Sequence, residues 1–404
     1  MNILFIAPGF PPEMPFFVRG LKNVGANVIG VGDQPASMLP EMASENLSAY
    51  IQVSFSDEAS IFDEVREVAR RVTIDRVECL WEPLMLLAAR LREAFGIEGM
   101  SVETTIPFRD KESMKQVLDA AGIRTPRHMR ANSAQGVREG AEAIGYPLIV
   151  KPIAGAGSAD TYRIDDRKEL DAALAILGHV PEVSVEEFIE AEEYTFDTVC
   201  AGGKILYYNI CWYRPRPLIA RQLEWVSPQS IALRDPDAPE LSGGLEMGKA
   251  VLQAMNFADG YSHMEWYLTS SGEAVFGEIG GRPPGARTVD IMNFASDIDM
   301  FTGWAEATCH GRISQTIERR YNAASVVKRA HGSGRITRIE GLSRLMAEIG
   351  ENIVVVDLLP LGAPRRNWMA TLISDGMVIV RHPDLPTTVQ MADRIGTDLQ
   401  LYAE

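Results

Sequence analysis

Residues 146–164 read Y-P-L-I-V-K-P-I-A-G-A-G-S-A-D-T-Y-R-I. The apolar run 147–151 is a buried strand ending in Lys151, 152–160 is a loop of small residues, and 161–164 is a second strand. Gly155 and Gly157 allow backbone N–H groups to approach an anion closely, Ser158 adds a hydroxyl, and Lys151 adds a point charge. The spacing is not G-x-x-x-x-G-K-[ST], which excludes a P-loop. Taken alone, the loop is either a tight turn or a phosphate cradle.

Outward from this stretch the pattern is α+β. On the upstream side Asp110 caps a helix that runs to 121 and stops at Gly122, followed by a strand at 127–130 and a helix at 134–144. Downstream lie a helix at 167–177 and the apolar-acidic segment V-S-V-E-E-F-I-E at 183–190. Strands dominate 195–213 and return at 263–268 and 274–279. From about residue 320, short strands at 324–329, 353–359, 368–374 and 378–381 precede a helix at 387–396, the pattern of a small terminal lobe. The first 108 residues differ: strand 2–7, helix 13–24 and strand 27–31 open a parallel α/β sheet, continued by a helix at 60–72, an apolar run at 76–80 and a helix at 84–95. P-G-F-P-P-E follows the first strand where a dinucleotide fold needs G-x-G-x-x-G, so this part reads as a Rossmann-like scaffold. Three regions result: 1–108, 109–188, and 189–404 with a subdomain from about 320.

The chain has 404 residues and a formal net charge of −16, which argues against nucleic acid as a partner. Its four cysteines form no C-x-x-C pair, the N-terminal apolar run lacks a basic flank, and no stretch is long enough to span a membrane. These features point to the cytoplasm.

Two carboxylates carry chemistry. Glu265 lies in the strand S-H-M-E-W-Y-L and Glu278 in A-V-F-G-E-I-G-G-R, with T-S-S-G-E between them as a turn. As a hairpin, the strands set both glutamates on one face with Arg282 just beyond. Such a pair calls for a cation such as Mg²⁺ beside a phosphate ligand, unless both glutamates simply face water. His263, two residues before Glu265, shares its face and is either a ligand contact or a satisfied structural histidine. Arg214 and Arg216, set among aromatics in C-W-Y-R-P-R-P, are either a bidentate carboxylate clamp or surface arginines, and Arg287 is a further candidate clamp.

The order of D-K-E-S-M-K-Q-V-L-D-A-A-G-I-R-T-P, the glycine-loop stretch, V-E-E-F-I-E-A-E-E-Y-T-F-D, S-H-M-E-W-Y-L and F-G-E-I-G-G-R-P-P-G resembles the ATP-grasp superfamily over nearly the whole chain. The last lobe is similar to those of biotin-carboxylase-like and L-amino acid ligases. The resemblance implies an ATP-grasp fold, with an N-terminal Rossmann-like domain, a two-lobed ATP-binding region and a small C-terminal lobe. It implies ATP and Mg²⁺ (or Mn²⁺) as cofactors and small-molecule carboxylate and amine substrates, and it permits a homodimer.

By position, Lys115 and Lys151 match the phosphate-binding lysines, and Gly155, Gly157 and Ser158 the loop over the terminal phosphates. Glu186, Glu187, Phe188 and Ile189 match the hinge that holds adenine, and Glu193 the ribose acceptor. Glu265 and Glu278 match the metal carboxylates and Arg282 the arginine that supports an acyl phosphate. Gly280 stands where the family often has asparagine, which removes one metal ligand. The implied activity is ADP-forming carboxylate–amine ligation. Alternatives are a nucleotide-binding regulatory protein with degenerate catalysis and a carboxylase-type enzyme.

Overall fold

The computed structural model describes residues 1–153, 160–178 and 180–404. The N-terminal strands Asn2–Ile6, Asn27–Gly32, Ala49–Gln52 and Arg76–Cys79 form an all-parallel sheet in which Asn2–Ile6 lies between Asn27–Gly32 and Arg76–Cys79. Ile3, Leu4, Phe5 and Ile6 are fully buried, as a strand covered on both faces requires. The helix Met14–Asn23 follows the first strand and packs on the helix Met300–His310, where Phe17 meets Phe301 and Trp304 edge-on at ring separations of 4.9 and 5.3 Å. Gly20 makes this approach possible, since a Cβ there would stand 2.4 Å from the Phe301 carbonyl oxygen. The N-terminal sheet thus shares a core with the rest of the chain.

The next unit is a four-stranded antiparallel sheet, ordered His128–Ala131, Val183–Glu187, Leu148–Pro152, Tyr162–Ile164. The helix Lys111–Ala120 starts where expected, with the Asp110 carboxylate accepting from the Glu112 and Ser113 amides. The glycine-loop residues Gly155, Gly157 and Ser158 lie outside the described residues.

A nine-stranded sheet forms the rest of the core. Ala274–Gly280 is at one edge, next to Gly260–Thr269 and then Ala191–Ala201. Asn322–Val327, Gly376–His382 and Ile353–Leu358 continue this same sheet, so the terminal lobe is built onto the large sheet rather than standing apart as a cap. The strand expected at 368–374 is a run of turns. Trp368 there packs its ring against the Arg329 guanidinium at 4.4 Å, so part of its apolar surface is covered without strand pairing. A final strand, Gln400–Ala403, pairs with Ile336–Glu340 in a small separate sheet. No helix among the described residues is long and apolar enough to cross a membrane.

Candidate active site

A cleft of about 950 Å³, open to solvent, lies between the four-stranded sheet and the nine-stranded one. One wall is the hairpin. Glu265 and Glu278 are direct cross-strand partners, and their side chains therefore share one face. The turn closes as read from T-S-S-G-E, with the Gly272 amide donating to the Thr269 carbonyl at 3.0 Å. Gly277 lets the strands close up, because a Cβ there would lie 2.8 Å from the Glu265 carbonyl oxygen.

His263 and Asp197, on adjacent strands, sit behind Glu265. His263 Nδ1 is 2.6 Å from Asp197 Oδ1 and its Nε2 is 3.5 Å from Glu265 Oε1. Burial opposes charge on this imidazole, but the Asp197 carboxylate outweighs it and raises the pKa to about 9. Asp197 carries no signal of its own in the sequence; only the strand pairing sets it opposite His263.

The opposite wall supplies cations. Lys151, at the strand end, lies 2.9 Å from Glu186, and Lys115 ion-pairs with the other oxygen of the same carboxylate. Burial alone would raise the Glu186 pKa, but the two lysines hold it far below the ordinary range. Lys115 is 1% exposed and does not line the cleft; Lys111, one helical turn earlier, does, with its ammonium 3.2 Å from Glu278. Of the two lysines in D-K-E-S-M-K, the structure gives Lys111 the ligand-facing place and Lys115 an internal one. Glu186 lines the cleft together with Glu187, Phe188 and Ile189. It belongs to the strand Val183–Glu187 and acts through its side chain, while residues 188–190 make the connector between the sheets.

Arg216 secures that connector. Its Nη1 donates to the Ile189 carbonyl at 2.7 Å, its Nε to Glu193 at 3.0 Å, and its plane lies over Tyr267 and Phe188. Glu193 is buried, and burial together with the Glu265 charge raises its pKa to about 7 against the pull of Arg216. Arg282 is aimed by the N-terminal region: its Nε donates to Glu82 at 2.8 Å, and Arg109 pairs with the other Glu82 oxygen. Glu82 lies about 200 residues from its partner and carried no motif signal.

Two expected clamps are elsewhere. Arg214 bonds Gln229 and Asp393, at 2.9 and 3.0 Å, and so ties the sheet to the helix Leu385–Asp398. Arg287 is engaged by Asp290 and Asp357, at 2.7 and 3.2 Å, and does not line the cleft.

The donor set suits Mg²⁺. Two cross-strand carboxylates face the cleft, and no group of three His, Cys, Asp or Glu among the described residues could hold a metal alone. A cation here would complete its shell from water and a bound phosphate, as Mg²⁺ commonly does.

The ATP-grasp domain profile matches residues 108–213. The L-arginine-specific L-amino acid ligase of Bacillus subtilis is 30% identical over 290 residues, which cover 70% of this chain and 69% of that one. The chain belongs to the ATP-grasp family. It is an ATP-dependent carboxylate–amine ligase by that membership. The D-alanine–D-alanine ligase B of Xanthomonas campestris is 30% identical to this ATP-grasp protein over 185 residues, 43% of this chain and 52% of that one. In fold, it superposes on the L-amino acid ligase of Bacillus licheniformis with a TM-score of 0.80 at 19% identity, covering 100% of this chain and 98% of the other. The N5-carboxyaminoimidazole ribonucleotide synthetase of Thermotoga maritima follows at a TM-score of 0.75, with 100% and 99% covered.

Proposed function

We propose that the cleft binds ATP and an amino-acid carboxylate, activates the carboxylate as an acyl phosphate, and passes it to an amine, releasing ADP and phosphate. The observation that carries this reading is the convergence on one cleft of Glu265, Glu278, Lys111, Lys151 and Arg282. A carboxylate is a poor electrophile until its oxygen becomes part of a good leaving group, and phosphoryl transfer is catalysed mainly by positioning and charge neutralisation.

In this proposal Lys111 and Lys151 neutralise the phosphates, the connector 188–190 meets the base, and Glu193 accepts from the ribose hydroxyls. Glu265 and Glu278 hold Mg²⁺, which when bound supplies charge neutralisation at the phosphate oxygens. Arg282, fixed by Glu82, stabilises the carbonyl oxygen as the amine attacks. An amino acid as substrate is supported by the likeness to the B. subtilis ligase named for L-arginine.

Phosphate release, measured with ATP and Mg²⁺ against pairs of amino acids, tests the reading. Carboxyl-¹⁸O substrate should deliver one labelled oxygen to inorganic phosphate as ADP rises in step with amide. Label in AMP, or amide formed without label transfer, would overturn it.

A further inference from the structure

A second cavity, of about 780 Å³, lies in the C-terminal part of the nine-stranded sheet. Its wall carries three cations, Lys328, Arg329 and Arg365, in a chain whose net charge is −16; Arg365 is paired with Glu224 and with the buried Asp375, which leaves Lys328 and Arg329 without a carboxylate partner among the described residues. Lys328 is 2% exposed and meets only neutral acceptors: the Ser227 hydroxyl at 2.9 Å and the Gly396 and Ile395 carbonyls at 2.6 and 3.4 Å. Burial without a counter-charge lowers its pKa to about 8. Arg329 donates through Nη1 to the Ala220 and Leu223 carbonyls, at 2.9 and 2.8 Å, while its buried Nε has no partner. A buried ammonium without a carboxylate and an orphaned guanidinium N–H are both costly, and an oxyanion bound in the cavity beside them would offset this uncompensated positive charge.

The cavity also touches the chain that frames the nucleotide cleft. Arg329, Lys328 and Arg365 grip the segment 220–227 at Ala220, Leu223, Glu224 and Ser227. That segment continues directly from Arg216 and Leu218, which line the cleft. Trp225, also on the cavity wall, is 75% exposed.

We propose that this cavity binds a small oxyanion, a phosphate or carboxylate group carried by a free small molecule, and that its occupancy changes nucleotide affinity through the segment 216–227. The binding half stands on the cavity alone; the coupling half rests on the nucleotide reading of the cleft.

Inorganic phosphate and citrate are the two probes, followed by tryptophan fluorescence with Trp225→Phe as the background. At least one should give a saturable change, and which one does identifies the phosphate or the carboxylate source. Arg329→Met and Lys328→Met, both outside the cleft, should each weaken that binding about tenfold or more. No saturable change with either probe, or unaltered affinity in both variants, overturns the site. Affinity for a fluorescent ADP analogue should then shift about fivefold or more when the probe is added to wild-type protein, and not in Arg329→Met. An equal affinity with and without the probe overturns the coupling. Absence of nucleotide binding in every state would instead remove the ligase reading and leave the anion titration standing.

Discussion

Glu186 holds two ammonium groups in a place where water scarcely reaches. Removing its charge should leave Lys115 and Lys151 buried together with only Glu112, Glu265 and Glu278, none of them in direct ion-pair contact with either lysine, to offset them. Glu186→Gln is therefore expected to lose on the order of 3–5 kcal/mol of stability, read as a lower denaturant midpoint at unchanged slope. Lys151→Ala should instead keep the fold and abolish turnover while weakening nucleotide binding. Retained phosphate release in that variant would remove Lys151 from the phosphate site.

His263 gives a pH signature. Its folded pKa, about 9, is above the ordinary 6.5, so the protonated form is favoured on folding. The His263–Asp197 pair contributes fully below about pH 6.5, and that contribution is lost as pH rises through about 9, on the order of 3 kcal/mol in all. Wild-type protein should lose this increment between pH 6 and 9.5 in urea melts, and His263→Gln should not.

At this scale the place on the cleft was legible for Lys151, Glu265 and Glu278, whose strand positions fix their direction, and for Arg282, two residues beyond the second strand. It was not legible for Lys115 against Lys111. The two are four apart on one helix and share a face, so periodicity cannot rank them. Their depth is decided by Glu186, seventy-one residues after Lys115.

Among elements, the glutamate hairpin is the most demanding. Gly277 has room for hydrogen only, with the Glu265 backbone on its far side. Gly277→Ala should force the two strands apart and separate the carboxylates. The expected result is a kcat loss of about 10²-fold or more with a folded protein by circular dichroism, and a higher Mg²⁺ requirement. Wild-type Mg²⁺ dependence in that variant would show that the spacing of the pair is immaterial.

The hairpin itself was readable, since alternation, turn chemistry and spacing all agree. The segment 368–374 was not, because Trp368, Ala370 and Leu372 fall at every second position as in a strand, yet Trp368 satisfies itself on Arg329. Arg214 and Arg216 differ by two residues and by everything else: one is tied to the C-terminal helix and the other to the nucleotide cleft. A single sequence carries no sign of Asp393, which claims the first.

Over the whole molecule, the N-terminal sheet completes the site from a distance. Glu82 reaches Arg282 across the contact between the two regions, which the docking of the helix Met14–Asn23 on Met300–His310 helps to hold. Gly20→Val should clash with the Phe301 carbonyl, loosen that docking, and lower both the melting temperature and kcat. Glu82→Gln should lower kcat with little change in melting temperature, because it disturbs the aim of Arg282 and not the apolar contact. If Gly20→Val melts at a lower temperature but turns over normally, the N-terminal region is a stabilising neighbour alone. The architecture was legible from the order of elements, whereas the shared core was not, since it joins Phe17 to Trp304 across most of the chain.

Glu278 stands on the last strand of its sheet, with Gly260–Thr269 as that strand's sole ladder partner among the described residues. The chain leaves this strand into the turn 281–287, which begins beside the reacting groups, carries Arg282 and ends at Arg287, held by Asp357 on the strand Ile353–Leu358. None of its residues is exposed, so lengthening or rewriting it would displace Arg282 and the anchor at Arg287 together. Selection on the activation chemistry is therefore expected to hold this turn at its present length in descendants of the chain.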